Sequence, residues 1–368
     1  MTDDFDKITK KVETMYMKYP YPSPSTESIQ TNELLNLLKI FELESGIKLE
    51  NVKFLDAGTG SGHRITNVAQ HYSKCEFLGL DISEKSLEIA NVLKNTKKLE
   101  NIKFRKANLM NNISSLGKFN IVLCMGVLHH LSNPAKGLGN LLGTLKKDGI
   151  IFLYLYGKLG GHKRMLNKKL ISILLAKEKS NYGNGIKLIR ELGLNKFEYG
   201  WNLNFKSKEE EDSLIVDYLL HANETLYDFN DIDKLFIKKS DLYGYAIFGI
   251  TTGTQGFLFD SSYDIRKKIS IPQTNISKFL KSDFSLSYYK SLSLKDKCRV
   301  LDIIYEPNGY TIIGFTRQAY EKLSNDISKP ICVVPTLSAA HIFCVVTLES
   351  VYTPTSAEQI TIVLNIVQ

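Results

Sequence analysis

Between residues 50 and 157 the chain alternates two apolar patterns. Short runs at 52–56, 76–81, 102–106, 119–124 and 149–156 have the length and composition of buried strands. Between them, apolar residues recur at helical spacing. Ser83 is placed to cap a helix that buries Leu87, Ala90 and Leu93. Pro134 opens another, in which Leu138, Leu141, Leu142 and Leu145 follow the i, i+3, i+4, i+7 rule before a stop near Gly149. Strands that alternate with helices need crossover connections, so the pattern predicts a mostly parallel α/β sheet.

Outside this stretch the pattern changes. Residues 1–46 read as a helical segment interrupted at Tyr19-Pro20-Tyr21-Pro22-Ser23-Pro24, where three prolines at alternate positions impose an extended path. Residues 162–240 read mainly as helix, and 243–250 and 309–316 as two further strands separated by a long polar insertion. From 330 to 368 the chain has no Lys or Arg, although the rest is lysine-rich. Four units follow: a lid segment at 1–46, an α/β core at 47–157, helical insertions with the last two strands at 158–320, and an appended segment at 330–368 whose Val, Ile and Thr runs need something to pack against.

Composition changes this picture little. With 368 residues, 43% hydrophobic and 23% charged, the chain is an ordinary globular sequence with a formal net charge of +8. Basic and acidic residues are interspersed, so nucleic-acid binding is permitted without being indicated. The densest basic cluster is Lys158, His162, Lys163, Arg164, Lys168 and Lys169, which is either a solvated helix face or a contact for phosphate. Cys75, Cys124, Cys298, Cys332 and Cys344 are scattered and odd in number, which argues against a zinc site or a disulfide framework and for a reducing compartment. No metal site is expected. The first residues lack the apolar core of a secretion signal, and no apolar run approaches the ~20 residues that span a bilayer. A soluble, cytoplasmic protein without membrane contact is expected.

The chemistry concentrates at Asp56-Ala57-Gly58-Thr59-Gly60-Ser61-Gly62, between the first strand and the next helix. Glycines here let the backbone turn sharply and approach a ligand. A dinucleotide site uses G-x-G-x-x-G with a pyrophosphate on the helix dipole, whereas this chain has G-x-G-x-G directly after a carboxylate. A carboxylate suits a ligand carrying an ammonium and a sulfonium better than a pyrophosphate, which favours S-adenosylmethionine over NAD. Asp81 ends the second strand, where an acidic side chain accepts hydrogen bonds from ribose hydroxyls. Ile82 follows it. After the third strand, Asn108 and Leu109 offer an adenine contact or a simple turn. The fourth strand runs into Met125 and Gly126 at the crevice end of the sheet.

These segments, with Gly126-Val127-Leu128-His129-His130-Leu131 and Leu145-Lys146-Lys147-Asp148-Gly149, resemble the class I S-adenosylmethionine-dependent methyltransferases of the type 11 and type 12 group. The resemblance covers 52–157. It implies a Rossmann-like fold, with a mostly parallel seven-stranded sheet and helices on both faces. It also implies S-adenosylmethionine as cofactor, Asp56, Gly58 and Gly60 on the methionine side with Thr59 among the cofactor contacts, Asp81 on the ribose, and Asn108 where the family usually has Asp. Tyr16 and Tyr19-Pro20-Tyr21-Pro22 resemble the Tyr-Pro-x-Pro entry of a bacterial subgroup, and Asp217-Tyr218-Leu219-Leu220-His221 a downstream motif of it. On this reading Tyr16, Tyr19 and Tyr21 belong to a lid or pocket, or to packing.

The implied activity is methyl transfer, with a small molecule as the expected acceptor. If the acceptor must lose a proton, His129, His130 and His221 are the candidate bases, each with a structural role as the alternative. DNA is not expected, because no Asn/Asp-Pro-Pro-aromatic motif follows the fourth strand and no Pro-Cys nucleophile is present. A tRNA-modifying methyltransferase and a non-catalytic S-adenosylmethionine-binding protein remain the alternatives.

Overall fold

In the computed structural model five strands, β1 (Lys53–Ala57), β2 (Glu76–Asp81), β3 (Ile102–Lys106), β4 (Phe119–Met125) and β5 (Leu145–Tyr156), lie parallel. β7 (Gly309–Phe315) pairs antiparallel with β5, β6 (Gly244–Thr251) pairs antiparallel with β7 and so runs in the same direction as β5, and the two-residue β8 (Val334–Pro335) pairs antiparallel with β6. The order is β3-β2-β1-β4-β5-β7-β6-β8, so the seven expected strands are present and β8 adds an eighth. The structure describes residues 2–26, 32–178, 181–195, 205–236, 242–251, 279–324 and 334–335. Most of the segment at 330–368, with Cys332 and Cys344, lies outside the described residues.

The helices are α1 (Thr2–Lys18), α2 (Glu33–Ser45), α3 (His63–His71), α4 (Glu84–Thr96), α5 (Pro134–Leu142), α6 (His162–Leu175), α7 (Tyr182–Glu191), α8 (Lys208–Leu219), α9 (Phe229–Phe236), α10 (Asp283–Ser291), α11 (Leu294–Tyr305) and α12 (Arg317–Ser324). Strand side chains alternate between faces, and the burial follows that period of two. Ile121, Leu123, Met125 and Phe152 pack with Leu37 and Phe41 of α2, Val68 of α3 and Ala319 of α12. Val122, Cys124, Ile151 and Leu153 pack on the other face with Leu138 and Leu141 of α5 and Phe236 of α9. Coverage on both faces is why β4 is apolar at every position from Ile121 to Met125.

The Leu138–Leu145 periodicity overstates the helix. α5 ends at Leu142, Thr144 turns its hydroxyl to the Leu141 carbonyl, and Leu145 already pairs with Phe119 as the first residue of β5. Leu145 is buried in either conformation, so spacing alone could not separate the two. Ser83 caps α4 as expected, its hydroxyl accepting from Ser86 N, and α5 opens at Pro134 as expected, with the Asn133 side chain accepting from Lys136 N as its cap.

A third apolar cluster joins Met15 of α1 to Ile171 of α6, Ile186 and Ile189 of α7, and Ile215, Val216 and Leu219 of α8. The first helix therefore shares a small core with elements about 160 to 200 residues downstream. It is also tied to the carboxyl edge of the sheet. Lys106 at the end of β3 pairs with Glu13 at 3.0 Å, and the Ser83 hydroxyl donates to the Tyr16 carbonyl at 3.1 Å. No helix among the described residues is long and apolar enough to cross a membrane.

Candidate active site

The order of strands reverses between β1 and β4, and the crevice outside their carboxyl ends is where open α/β sheets bind ligands. Asp56 in β1, the turn 58–62, Asp81 at the end of β2, and Met125 with Gly126 after β4 all meet there. The turn is held by the end of β2. Gly58 N and Thr59 N both donate to the Leu80 carbonyl, at 2.7 and 2.8 Å, and Gly60 N donates to Asp81 Oδ2 at 2.8 Å. Ser61 N donates to the Tyr21 carbonyl and Gly62 N to the Thr59 carbonyl, both at 3.1 Å. Five consecutive backbone N–H groups are thus committed inside the protein. A pyrophosphate cradle needs such groups free, so the turn does not suit a dinucleotide.

The same turn fits S-adenosylmethionine. Asp81 accepts from Gly60 N and Ser83 N, which leaves one lone pair on each oxygen for a ribose diol. Burial raises its pKa, while the Ser83 and Gly60 N–H groups act to lower it. Asp56 is 6% exposed, and burial pushes its carboxyl up to about 6 despite the lowering effects of the Thr59 hydroxyl and Arg64. Gly126 has φ +82°, and a Cβ there would point into open space. Asn108 turns its side-chain oxygen to Met110 N at 2.9 Å, an Asx turn that leaves the amide NH2 and a second lone pair available. Leu109 lies 6% exposed in the core beneath it, and Ile82 is half-buried beside Asp81.

The Tyr-Pro segment lies directly on the turn. A Cβ on Gly60, which has φ +56°, would stand 2.4 Å from the Tyr21 carbonyl oxygen. Ser23 N donates to Ser61 Oγ at 3.3 Å, Ser61 Oγ lies 3.0 Å from His63 Nδ1, and His63 Nε2 lies 2.9 Å from the Ser25 carbonyl. That carbonyl can only accept, so Nε2 carries the proton and Nδ1 accepts from the serine. Gly60→Ala is accordingly expected to cost about 2 kcal/mol or more, from a left-handed alanine and a displaced strap. Thermal denaturation measures the loss, and faster cleavage near residue 21 by a protease reports the strap. Unchanged melting and cleavage would disprove this contact.

The three tyrosines do not act together. Tyr21 supplies its carbonyl to the glycine turn, whereas Tyr19 packs edge-on against Tyr182 at 5.6 Å. Tyr16 donates to Asp217 Oδ1 at 2.8 Å and lies 3.0 Å from His221 Nε2. His129 and His130 occupy a buried turn, 128–130, just after β4. His130 stacks on His221 with centroids 3.6 Å apart, and His129 lies 3.9 Å from the Tyr156 ring. All three candidate histidines therefore lie together in one buried cluster at the strand ends. Burial lowers the pKa of each, that of His130 to about 4.

Sequence reasoning missed Arg64, which sits in electrostatic reach of Glu33, Tyr21, Asp56 and Tyr156. Its place in the first turn of α3, directly after the glycine turn, was the available signal. It also misjudged the basic cluster. Arg164 and Lys168 face inward and grip Glu224 at 2.6 and 2.7 Å, while Lys158 pairs with Asp228 and Asp231. Only His162, Lys163 and Lys169 are on the solvated face, because positions 164, 168 and 171 share the opposite side of α6.

Residues 48–212 match the family described as a methyltransferase domain. An uncharacterized protein of Synechococcus sp. is 25% identical over 236 residues, which cover 60% of this chain and 56% of that protein. One from Rickettsia prowazekii is 30% identical over 148 residues, covering 40% and 59%. The chain thus spans little more than half the length of these curated relatives. The solved structure of PKMT2 from Rickettsia typhi shares the fold with a TM-score of 0.53 at 17% identity, over 79% of this chain and 55% of that one. Residues 48–212 are thus similar to a methyltransferase domain, set on a Rossmann-like sheet.

Proposed function

We propose that the protein transfers the methyl group of S-adenosylmethionine to a small-molecule acceptor, which enters a chamber walled by Tyr16, His129, His130, Asp217 and His221. The observation that carries the reading is the pair of recessed carboxylates, Asp56 and Asp81, on either side of a glycine turn with no backbone N–H left for phosphate. Asp81 holds the ribose hydroxyls, Asp56, Gly58 and Gly60 border the methionine part, and Asn108 borders the adenine. The strap at Tyr19-Pro20-Tyr21-Pro22 covers the donor. Methyl transfer needs alignment and exclusion of water above all, and the strap with α1 supplies both. A small molecule is favoured over tRNA because Arg164 and Lys168, the cations nearest the chamber, are neutralised by Glu224 rather than offered to a polyanion. The buried free thiols of Cys75, Cys124 and Cys298 fit a reducing compartment such as the cytoplasm.

Calorimetry tests the donor half. S-adenosylmethionine and S-adenosylhomocysteine are expected to bind the full chain, and failure of both would sink the reading. The pH dependence follows from Asp56. With its pKa near 6 in the free protein, the carboxyl is about half protonated at pH 6, and a cationic ligand favours the ionised form. Affinity for the sulfonium ligand should therefore weaken by up to about tenfold between pH 7.5 and pH 5. Near pH 6 binding should release protons, seen as a binding enthalpy that depends on the buffer. Flat affinity and a buffer-independent enthalpy would remove Asp56 from the site.

A further inference from the structure

The partners of the chamber histidines fix where their protons sit. Asn223 N donates to His221 Nδ1 at 3.1 Å, so that nitrogen carries a lone pair and the neutral ring holds its proton on Nε2. Nε2 lies 3.0 Å from the Tyr16 hydroxyl and donates to it, and Tyr16 in turn donates to Asp217 Oδ1 at 2.8 Å. The carbonyl of the same Asn223 lies 2.9 Å from His130 Nδ1. A carbonyl only accepts, so the His130 proton is on Nδ1 and its Nε2 is bare. That atom is buried in a residue 4% exposed and has no hydrogen-bond partner among the described residues. One backbone residue thus sets the two stacked rings to opposite purposes: His221 is a donor within a closed chain, and His130 presents an open lone pair.

His130, Asp217 and His221 also bring ligand atoms within 4.8 Å of one another, the spacing of a metal site. The hydrogen bonds argue against one. With Nδ1 of His221 accepting from a backbone N–H, its Nε2 must keep its proton and has no lone pair for an ion.

We propose that His130 Nε2 is the proton acceptor in methyl transfer and that the methyl acceptor is an alcohol or phenol hydroxyl. This rests on the methyl-transfer reading above. The hydroxyl oxygen attacks the methyl carbon, the C–O bond forms as the C–S bond breaks with its electron pair left on sulfur, and the hydroxyl proton passes to Nε2. The products are a neutral ether, S-adenosylhomocysteine and an imidazolium that keeps its Nδ1–H on Asn223, so the positive charge moves from sulfur to the ring. A neutral, weakly basic imidazole suits this step, because the hydroxyl proton becomes strongly acidic as the oxygen is alkylated. An alkylammonium would bring another positive charge beside the buried Arg164 and Lys168, which a neutral hydroxyl does not. Carboxylates and thiolates need no base at all. Tyr16 and His221 are positioning residues, which hold the ring stacked against His130 in place.

The test uses the full-length protein. Imidazole nitrogen NMR of the wild type, with no acceptor present, is expected to show His130 protonated on Nδ1 and His221 on Nε2. The opposite tautomer in either ring would overturn the wiring. Incubation with methyl-labelled S-adenosylmethionine and fractionated cell extract should then place label in a product stable to mild alkali and without a basic nitrogen. Label in an amine or in an alkali-labile ester would overturn the acceptor class. His130→Gln should bind the donor within about twofold of wild type and lose about 100-fold or more of the labelling. Labelling within tenfold of wild type would dismiss His130 as the base, whereas loss of donor binding by the wild type would instead strike at the methyl-transfer reading. Zinc added to the wild type should bind no tighter than to Asp217→Asn; stoichiometric binding abolished by that change would establish the metal site instead.

Discussion

Asp81→Ala should weaken S-adenosylmethionine binding at least about 100-fold, because a single carboxylate both organises the glycine turn and recognises the ribose. Each hydrogen bond from a ribose hydroxyl to an ionised acceptor is worth about 1.5–3 kcal/mol, so losing two exceeds the 2.7 kcal/mol that a hundredfold represents. The change also frees Gly60 N and Ser83 N, which Asp81 now holds at 2.8 and 2.9 Å. With Gly60 released, the turn keeps its bonds from Gly58 N and Thr59 N to the Leu80 carbonyl but loses its third tie to β2, and the strap over Gly60 is less firmly seated. Asp81→Asn keeps one strong acceptor and should fall between the two. Calorimetry on protein shown by circular dichroism to be folded makes the measurement. An affinity within threefold of wild type would mean that the ligand is held elsewhere.

This site was legible because its parts are close in sequence. Asp56 through Gly62 is one segment, and Asp81 lies a strand, a helix and a turn beyond it, so local rules name both the shape and the ligand charge. The sheet was legible for a similar reason, since runs such as Phe119–Met125 declare burial on both faces. The chamber was not. Tyr16 meets Asp217 across 201 residues, and His130 meets Asn223 across 93. No period connects such positions, and Asn223 sets both ring tautomers through its backbone, while its side chain bonds the His130 and Leu131 carbonyls. The boundary of α5 failed for another reason: Leu145 satisfies the helical and the strand pattern equally. Arg164 and Lys168 were misread because a cation on an amphipathic helix is normally solvated, and nothing nearby in sequence announces Glu224, 60 and 56 residues on.

That buried trio gives the largest expected effect on stability. The Glu224 side chain is 2% exposed and bonds Arg164 and Lys168, whose own exposures are 6% and 13%. Arg164 also donates to the Tyr218 carbonyl at 3.2 Å and lies about 5 Å over the rings of Tyr156 and Tyr218. Glu224→Gln preserves shape and removes the negative charge that two buried cations share. Breaking a buried pair in this way costs about 3–5 kcal/mol, whereas replacing the whole set with apolar residues is often neutral. Glu224→Gln should therefore lower the melting temperature by about 10 °C, and the triple change Arg164→Met, Lys168→Met, Glu224→Leu should recover most of it. Acid should mimic the single change. Burial opposes ionisation of Glu224, yet Lys168 and Arg164 outweigh it and hold the carboxyl below its ordinary value. The stabilisation is then complete above the unfolded-state pKa and is lost as pH falls through the depressed one. If Glu224→Gln melted within two degrees of wild type, the trio would contribute shape and not charge, and the inward turn of Arg164 would need another cause.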